Sequence, residues 1–596
     1  MAIIKNPLTI TIQVGGGGES GSGSEVVETK EITIPLTSAF NEMQNLYYFQ
    51  VDNNTLLVSA DINGIGVWEY TISTKEFVQL YNSYYGSVFQ QVGENCLISG
   101  GTMGVLVYEK STKTITQYYE TGANFKNFVV VGNDCLISSD MTSGSSNTIG
   151  VLLYNGNTKT ITKIYDSGCN WVNAKIINGN CLISSTTGNS TGVLLFESST
   201  KTITKGYDSG YNWINFMEIK NGCLISGSSN NASGILLYDN STKTISLKYS
   251  STGNYGWNSV VEIENNYLIS GGYYSQGLYL YNTATDTITK VYNGAGYNWV
   301  NFVVIGNKVL LSSTISSAVG VLVYDNSTQT ATQAYTTGYN WTFQAVGNDC
   351  VIGNPITSGN LGVLVFNGTD NTITQAYTTG NKWTYFQAIG ENCLIGSDVG
   401  ASIGVLLFDG STKTITQIYS TGGSWRYFHL VGNKCLASTS VTSGTGILVY
   451  DNETKTISKA YTSGYRWCYY QNVGNNCLIG GTAVTGLLLF NGADNTITQL
   501  YSTAPYWRYF QLVGEDCLII GGSTISGDLV GNIGVLFYNH ETLTAHRIFN
   551  LGNYDTFEQN ADGYLISNST KKTPYVAQYN TSDGTINIAG YYIGEL

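Results

Sequence analysis

One phrase, repeated, limits what this chain can become more than any other feature. Trp299 to Tyr335 reads WVNFVVIGNKVLLSSTISSAVGVLVYDNSTQTATQAY, and the phrase starts again at Trp341. Tryptophan marks the recurrence at Trp171, Trp213, Trp257, Trp299, Trp341, Trp383, Trp425, Trp467 and Trp507, at spacings of 40 to 44 residues. Self-similarity at such a period signals a repeat architecture, in which each unit buries its apolar faces against its neighbours. A chain of 596 residues is too long for one ordinary core, and repetition resolves how it packs.

Within the phrase, four short strands are expected. Strand a runs from the aromatic opening to the Gly306-Asn307 turn, and strand b is the Cys-Leu-Ile-Ser segment of most repeats. Strand c is Gly-Val-Leu-Leu-Tyr, and strand d is Thr-Ile-Thr-Gln-x-Tyr. Strands b and c are apolar at successive positions, so both of their faces should be buried. Strand d alternates, as a half-exposed strand does. The Gly-Asn and Asp-Asn pairs are read as hairpin turns, where such residues tolerate positive φ. No helical period appears. Anchored on strand b, the sequence holds thirteen repeats, at Thr55, Cys96, Cys135, Cys181, Cys223, Tyr267, Val309, Cys350, Cys393, Cys435, Cys477, Cys517 and Tyr564.

The N-terminal stretch differs. Leu8 to Val14 alternates like a strand, and Gly15 to Ser24 is a Gly/Ser tract that reads as a flexible tether. Residues 1–28 are therefore expected to form an attachment segment. Thr29 to Ile34 resembles strand d, and the expectation is that it completes a late repeat and closes a ring.

From Thr29 to Leu596 the chain resembles β-propeller repeat proteins, whose blades are four-stranded antiparallel sheets. The resemblance implies an all-β fold. Thirteen repeats exceed the roughly 4–8 blades of common rings. The expected division is a first propeller at 29–335 with about seven blades and a second at 336–596 with about six. One large ring is the alternative. The Trp-Asp and Gly-His elements of WD40 repeats are missing, as is the regular kelch double glycine. The aromatic, Asn/Gly-rich repeats look more like lectin propellers of the tachylectin type. Separately, MAIIKNPLTI followed by a glycine tract is similar to the starts of structural proteins from phages of gut bacteria.

Charge narrows the partners. A formal net charge of −13 opposes nucleic-acid binding, which needs Lys and Arg against phosphate, and opposes attachment to anionic lipid. No stretch approaches the ~20 apolar residues that span a bilayer, so no membrane insertion is expected. The N-terminus lacks the continuous apolar run of a secretory signal. Nine of the eleven cysteines share one repeat position, which Tyr267 and Val309 fill elsewhere. A position open to Cys, Val and Tyr is a packing position. Equivalent sites in neighbouring repeats should also exceed the ~7 Å Cα separation a disulfide allows. Reduced, buried thiols are expected, with Cys169 and Cys468 outside the pattern.

The three histidines, His429, His540 and His546, have no metal-ligand spacing, so neither metal nor cofactor is expected. Propeller glycosidases use paired carboxylates, but Asp239, Asp325, Asp409 and Asp451 recur in the c–d turn, where Asp serves turn geometry.

Candidate ligand-binding residues come from the aromatic openings. One indole per repeat could stack on a sugar ring. The Trp-to-Phe spacing of three, as in Trp213 to Phe216, argues for packing between repeats instead. Tyr211 and Tyr339 precede the tryptophans in loops, where recognition residues concentrate. Lys382, Arg426, Arg466 and Arg508 neighbour Trp383, Trp425, Trp467 and Trp507, and together they define a candidate site for an anionic glycan. Cations stacked on aromatic rings or solvated are the structural alternative. The expected function is a non-enzymatic platform, most concretely a phage virion protein assembled in the bacterial cytoplasm. It would join virion structural proteins through residues 1–28 and recognise host-cell surface glycan or protein. A soluble bacterial lectin or interaction scaffold, and a propeller carbohydrate-active enzyme, are the alternatives.

Overall fold

The computed structural model describes the strands and tight turns between residues 8 and 591. Outside the described residues lie 1–7, 16–26, 35–45, 592–596, the b–c connections for the most part, and several connections from strand d to the next strand a. The Gly/Ser tract after Gly15 falls among them. Every described element is a strand, and after the N-terminal pair the strands form thirteen four-stranded antiparallel sheets, each in the order a-b-c-d. This is the all-β meander of propeller blades that the sequence pattern predicts. The chain divides into two compact units, Met1–Lys290 and Val291–Leu596.

The opening phrase folds as read. Its strands are Trp299–Ile305, Lys308–Ser313, Val321–Asp325 and Thr330–Tyr335. Strand b is buried at five of its six positions and strand c at four of five, whereas strand d has exposed and half-buried positions only and alternates just over Thr330–Thr332. Hydrophobic clusters explain the pattern. Each is shared by two consecutive sheets. In one, Ile389, Leu394, Val405 and Leu407 meet Trp425, Cys435, Ala437, Leu448 and Tyr450 of the sheet that follows. A single sheet has no core of its own, so the repeats stabilise one another through neighbours.

Three devices join sheet to sheet. First, the strand d tyrosine meets the next sheet's tryptophan edge-on. Tyr377–Trp383, Tyr419–Trp425 and Tyr461–Trp467 have ring centroids 5.8, 5.5 and 5.7 Å apart. Second, the strand b serine donates to the next tryptophan's carbonyl, as Ser138 does to Trp171 at 2.8 Å and Ser312 to Trp341 at 2.9 Å. Where this serine is glycine, the backbone closes in: a Cβ on Gly396 would sit 1.8 Å from the Trp425 carbonyl oxygen. Third, a c–d turn lysine reaches an acid of the preceding sheet. Lys113–Glu69, Lys159–Glu109 and Lys455–Asp409 stand at 2.6, 3.2 and 2.5 Å, and Lys201–Asp134 and Lys413–Asp349 repeat the contact.

Some local expectations change. Positive φ in the c–d turn falls not on the Asp-Asn pair but later, on Lys455 (54°) or Gln329 (55°). The aspartate acts through its side chain: Asp325 Oδ1 accepts from the Ser327 backbone N–H at 2.9 Å and its hydroxyl at 2.5 Å. The first repeat is anchored at Leu56 rather than Thr55, because Leu56 pairs with Tyr70 as Cys96 pairs with Tyr108. The d-like segment does not complete a late sheet. Val27–Ile34 pairs instead with Leu8–Gly15 in a separate antiparallel hairpin, Leu8 opposite Ile34 and Gly15 opposite Val27. Two alternating strands close in sequence pair locally at less entropic cost than a strand closing a ring of several hundred residues.

All eleven cysteines are free thiols; ten are buried and Cys468 is half-buried. Desolvation pushes the Cys435, Cys477 and Cys517 thiols up to about 12, so they pack as small apolar groups.

Candidate functional site: the cleft beside Cys468

The predicted site residues separate into two kinds. Trp383, Trp425, Trp467 and Trp507 are at most 1% exposed. They cannot stack on a ligand, and the sugar-platform reading of these four indoles is corrected to packing. Their indole N–H groups show the reason: Trp383, Trp425 and Trp467 donate to the carbonyls of Thr379, Thr421 and Ser463 at 3.0–3.2 Å, four residues upstream. This pins the connection from strand d into strand a.

In seven repeats the described position before the tryptophan is left-handed. Asn170, Asn212, Asn298 and Asn340 have φ of 54–63°, and Lys382, Ser424 and Arg466 hold the same conformation at 55–58°. Asn is common there because it tolerates this region better than other side chains. Lys382 and Arg466 thus occupy a backbone slot one residue before the tryptophan. Lys382 is half-buried, and Arg466 is exposed with its Nε donating to the Ser440 carbonyl at 2.9 Å. Arg426 and Arg508 sit one residue after it, inside strand a. The four cations therefore occupy two different backbone positions. Tyr211 and Tyr339 are half-buried, and the Tyr339 carbonyl accepts from Asn354 Nδ2 at 3.1 Å.

Strand a itself carries the asymmetry that matters. Two residues after the tryptophan, Asn173, Asn215 and Asn301 give way in later sheets to Tyr385, Tyr427, Tyr469 and Tyr509. These tyrosines are half-buried. Strands Trp383–Ile389, Trp425–Val431, Trp467–Val473 and Trp507–Val513 lie beside one another in sequence order. The Arg426 guanidinium lies 5.5 Å from the centre of the Tyr385 ring, so a cation of one sheet covers the tyrosine of the sheet before it. Arg508 stands at the same distance from Tyr509.

Between Trp425–Val431 and Trp467–Val473 is an open cleft of about 400 Å³ lined by Arg426, Tyr427, Phe428, His429, Cys468, Tyr469 and Tyr470. Its far wall is held by a ring stack and hydrogen bonds. His429 stacks on Tyr470 with centroids 4.9 Å apart and planes 5° from parallel. His429 Nε2 meets Asn472 Oδ1 at 2.9 Å, and Asn472 Nδ2 donates to the Leu430 carbonyl at 2.9 Å. The Tyr470 hydroxyl donates to the Trp467 carbonyl at 2.5 Å. Burial lowers the His429 pKa below its usual value, with the Asn472 contact opposing, so the imidazole is neutral near pH 7. Burial likewise keeps the Tyr470 phenol un-ionised. Arg426 is the charged member of the lining.

Sequence reading found Arg426 and missed Tyr427, His429, Cys468 and Tyr469. The available signal was the switch from Asn to Tyr at the second position after the tryptophan. The other histidines serve elsewhere. His540, in a c–d turn, lies 2.7 Å from Glu515 and 3.2 Å from Asp516, and His546 packs edge-on against Phe537. Among the described residues no group of His, Cys, Asp and Glu could hold a metal ion, and no helix is long and apolar enough to cross a membrane.

No known family matches the chain, and no curated protein matches it. Among solved structures, the extracellular domain of a one-component system from B. thetaiotaomicron is similar at 11% identity, covering 87% of this chain and 79% of that one, with a TM-score of 0.26. The extracellular domain of a hybrid two-component system from the same organism is similar at 13% identity, covering 91% and 77%, with a TM-score of 0.24. The computationally designed Ika8 protein matches at 10% identity over 53% of this chain and 94% of its own, with a TM-score of 0.28. Scores of this size carry no functional argument, and the site must be judged on its own chemistry.

Proposed function

We propose that this chain is a non-enzymatic binding platform, a phage virion protein whose propeller repeats recognise glycan or protein on the host surface. The carrying observation is the aromatic and cationic run along adjacent strands a: Tyr385, Arg426, Tyr427, Tyr469, Arg508 and Tyr509 stand where the earlier tryptophan-bearing sheets carry Asn, Ser, Thr or aliphatic residues, apart from Phe343. A fold held by identical joints needs no such change in one series of sheets. Half-buried tyrosines with an arginine nearby suit sugar rings, which combine apolar C–H faces with hydrogen-bonding edges. The virion assignment is supported by the resemblance of MAIIKNPLTI to phage structural proteins, and by an N-terminal hairpin that forms its own two-stranded sheet. Residues 1–28 are its proposed route to virion structural proteins.

The test is adhesion. Purified protein is incubated with gut bacterial cells and a glycan array, and antibody against it is applied to purified particles. Saturable adhesion with particle labelling supports the proposal. Protein confined to cell cytosol, with no adhesion, removes it in favour of an intracellular scaffold. Release of reducing sugar from bound glycan would instead establish an enzyme.

A further inference from the structure

The cleft lies where Cys468 stands between two arginines of its series, Arg426 in the sheet before and Arg508 in the sheet after. Arg426 follows Trp425 and covers the ring of Tyr385 in the preceding sheet. The same position in the next sheet is Cys468, and Cys468 and Tyr427 both line the cleft. An arginine at 468 would lie over Tyr427 if built as Arg426 is, or over Tyr469 if built as Arg508 is, and both tyrosines line the cleft. The cysteine leaves a tyrosine face beside a guanidinium, backed by the stacked pair His429–Tyr470.

We propose that this gap is a subsite for one carboxylated sugar ring, a uronate unit of an acidic polysaccharide. The inference rests on the platform reading above and assigns its ligand class. Four features carry it. The volume, about 400 Å³, lies within the roughly 300–1,000 Å³ typical of small-ligand sites and matches one sugar unit more closely than a peptide segment. Tyr427 and Tyr469 supply aromatic surface for the C–H face of a pyranose. Arg426 supplies a planar donor suited to a carboxylate. His429 adds no second charge, because its ring is buried against Tyr470 and burial disfavours the imidazolium, outweighing the opposing Asn472 contact. With a formal net charge of −13, the protein as a whole repels acidic polymers, so recognition of one must come from a local contact of this kind.

The experiment compares methyl β-D-glucuronide with methyl β-D-glucoside, which differ only in the carboxylate, by titration into the full chain under NMR or calorimetric detection. The glucuronide is expected to bind more tightly by about tenfold, the range of one charge-assisted hydrogen bond. Arg426→Gln should abolish that difference. Cys468→Arg should remove binding of both, with circular dichroism unchanged. Because that variant could fail to fold, the native thiol is also capped with a bulky methanethiosulfonate reagent, which fills the cleft without mutation and should also remove binding. Equal affinity for the two glycosides, or undiminished glucuronide binding after capping, overturns the subsite. The two proposals fail separately. Cell adhesion unaffected by capping leaves the platform and removes the subsite, whereas absent adhesion by unmodified protein removes the platform whatever the cleft binds.

Discussion

Replacing Trp425 distinguishes a packing indole from a ligand platform. The side chain is 1% exposed, sits within the cluster formed with the preceding sheet, pairs edge-on with Tyr419 at 5.5 Å and donates to the Thr421 carbonyl at 3.1 Å. Trp425→Ala removes all of this, and truncations of buried Trp cost about 3–5 kcal/mol. The aromatic pair accounts for about 0.5–1.5 kcal/mol of that. Trp425→Phe keeps a ring against Tyr419, as Phe125 does against Tyr119 at 5.7 Å in an early sheet. It loses the indole donor and some buried area, so about 1–3 kcal/mol is expected. A global melting temperature is a poor readout for a long repeat array, whose cooperativity breaks down. Native-state hydrogen exchange at Trp425–Val431 and Lys434–Thr439 reads the local opening energy directly. Exchange there should accelerate roughly a hundredfold or more in the Ala variant and roughly tenfold in the Phe variant, since about 1.4 kcal/mol is tenfold. Ligand binding by the Phe variant should be unchanged. Unaltered exchange together with weakened binding would refute the packing assignment.

Three further outcomes are expected. Native protein should give one readily labelled thiol with a maleimide, located by mass spectrometry at half-buried Cys468, while Cys435, Cys477 and Cys517, pushed up to about 12, stay unlabelled until unfolding. Gly396→Ala should destabilise its sheet by about 1–3 kcal/mol, because the new Cβ meets the Trp425 carbonyl and the Phe428 ring; native-state hydrogen exchange at Asn392–Ser397 checks it. Acid should loosen the Lys455–Asp409 ion pair: hydrogen bonding from Lys455 and then Ser411 lowers Asp409 to about 2. A depressed carboxylate favours the fold fully above its ordinary value of 3.8, and that contribution is lost as pH falls toward about 2. Resistance to proteolysis by an acid protease should decline over that window, less so in Lys455→Ala, which has already lost the pair.

The repeat was legible because its physics is local. Apolar runs of the right length, Gly-Asn turns and a tolerant Cys/Val/Tyr position place the strands and the buried thiols without knowledge of the third dimension. The packing role of tryptophan was legible too, in its fixed distance from Phe. Positive φ before seven of the tryptophans was not read, although the recurrent Asn carried its signal. Thr29 to Ile34 misled because a d-like pattern does not say which strand it will pair with.

By itself, then, the sequence determined the period, the strand order and the burial of strands b and c, since these depend on residues a few positions apart. Tertiary structure alone decided which aromatic rings face each other. Tyr385 and Arg426 are 41 residues apart in the chain and meet only because consecutive sheets stack. The cleft at Cys468 depends on the same stacking, because a short side chain leaves a space only where a neighbouring sheet supplies its other wall.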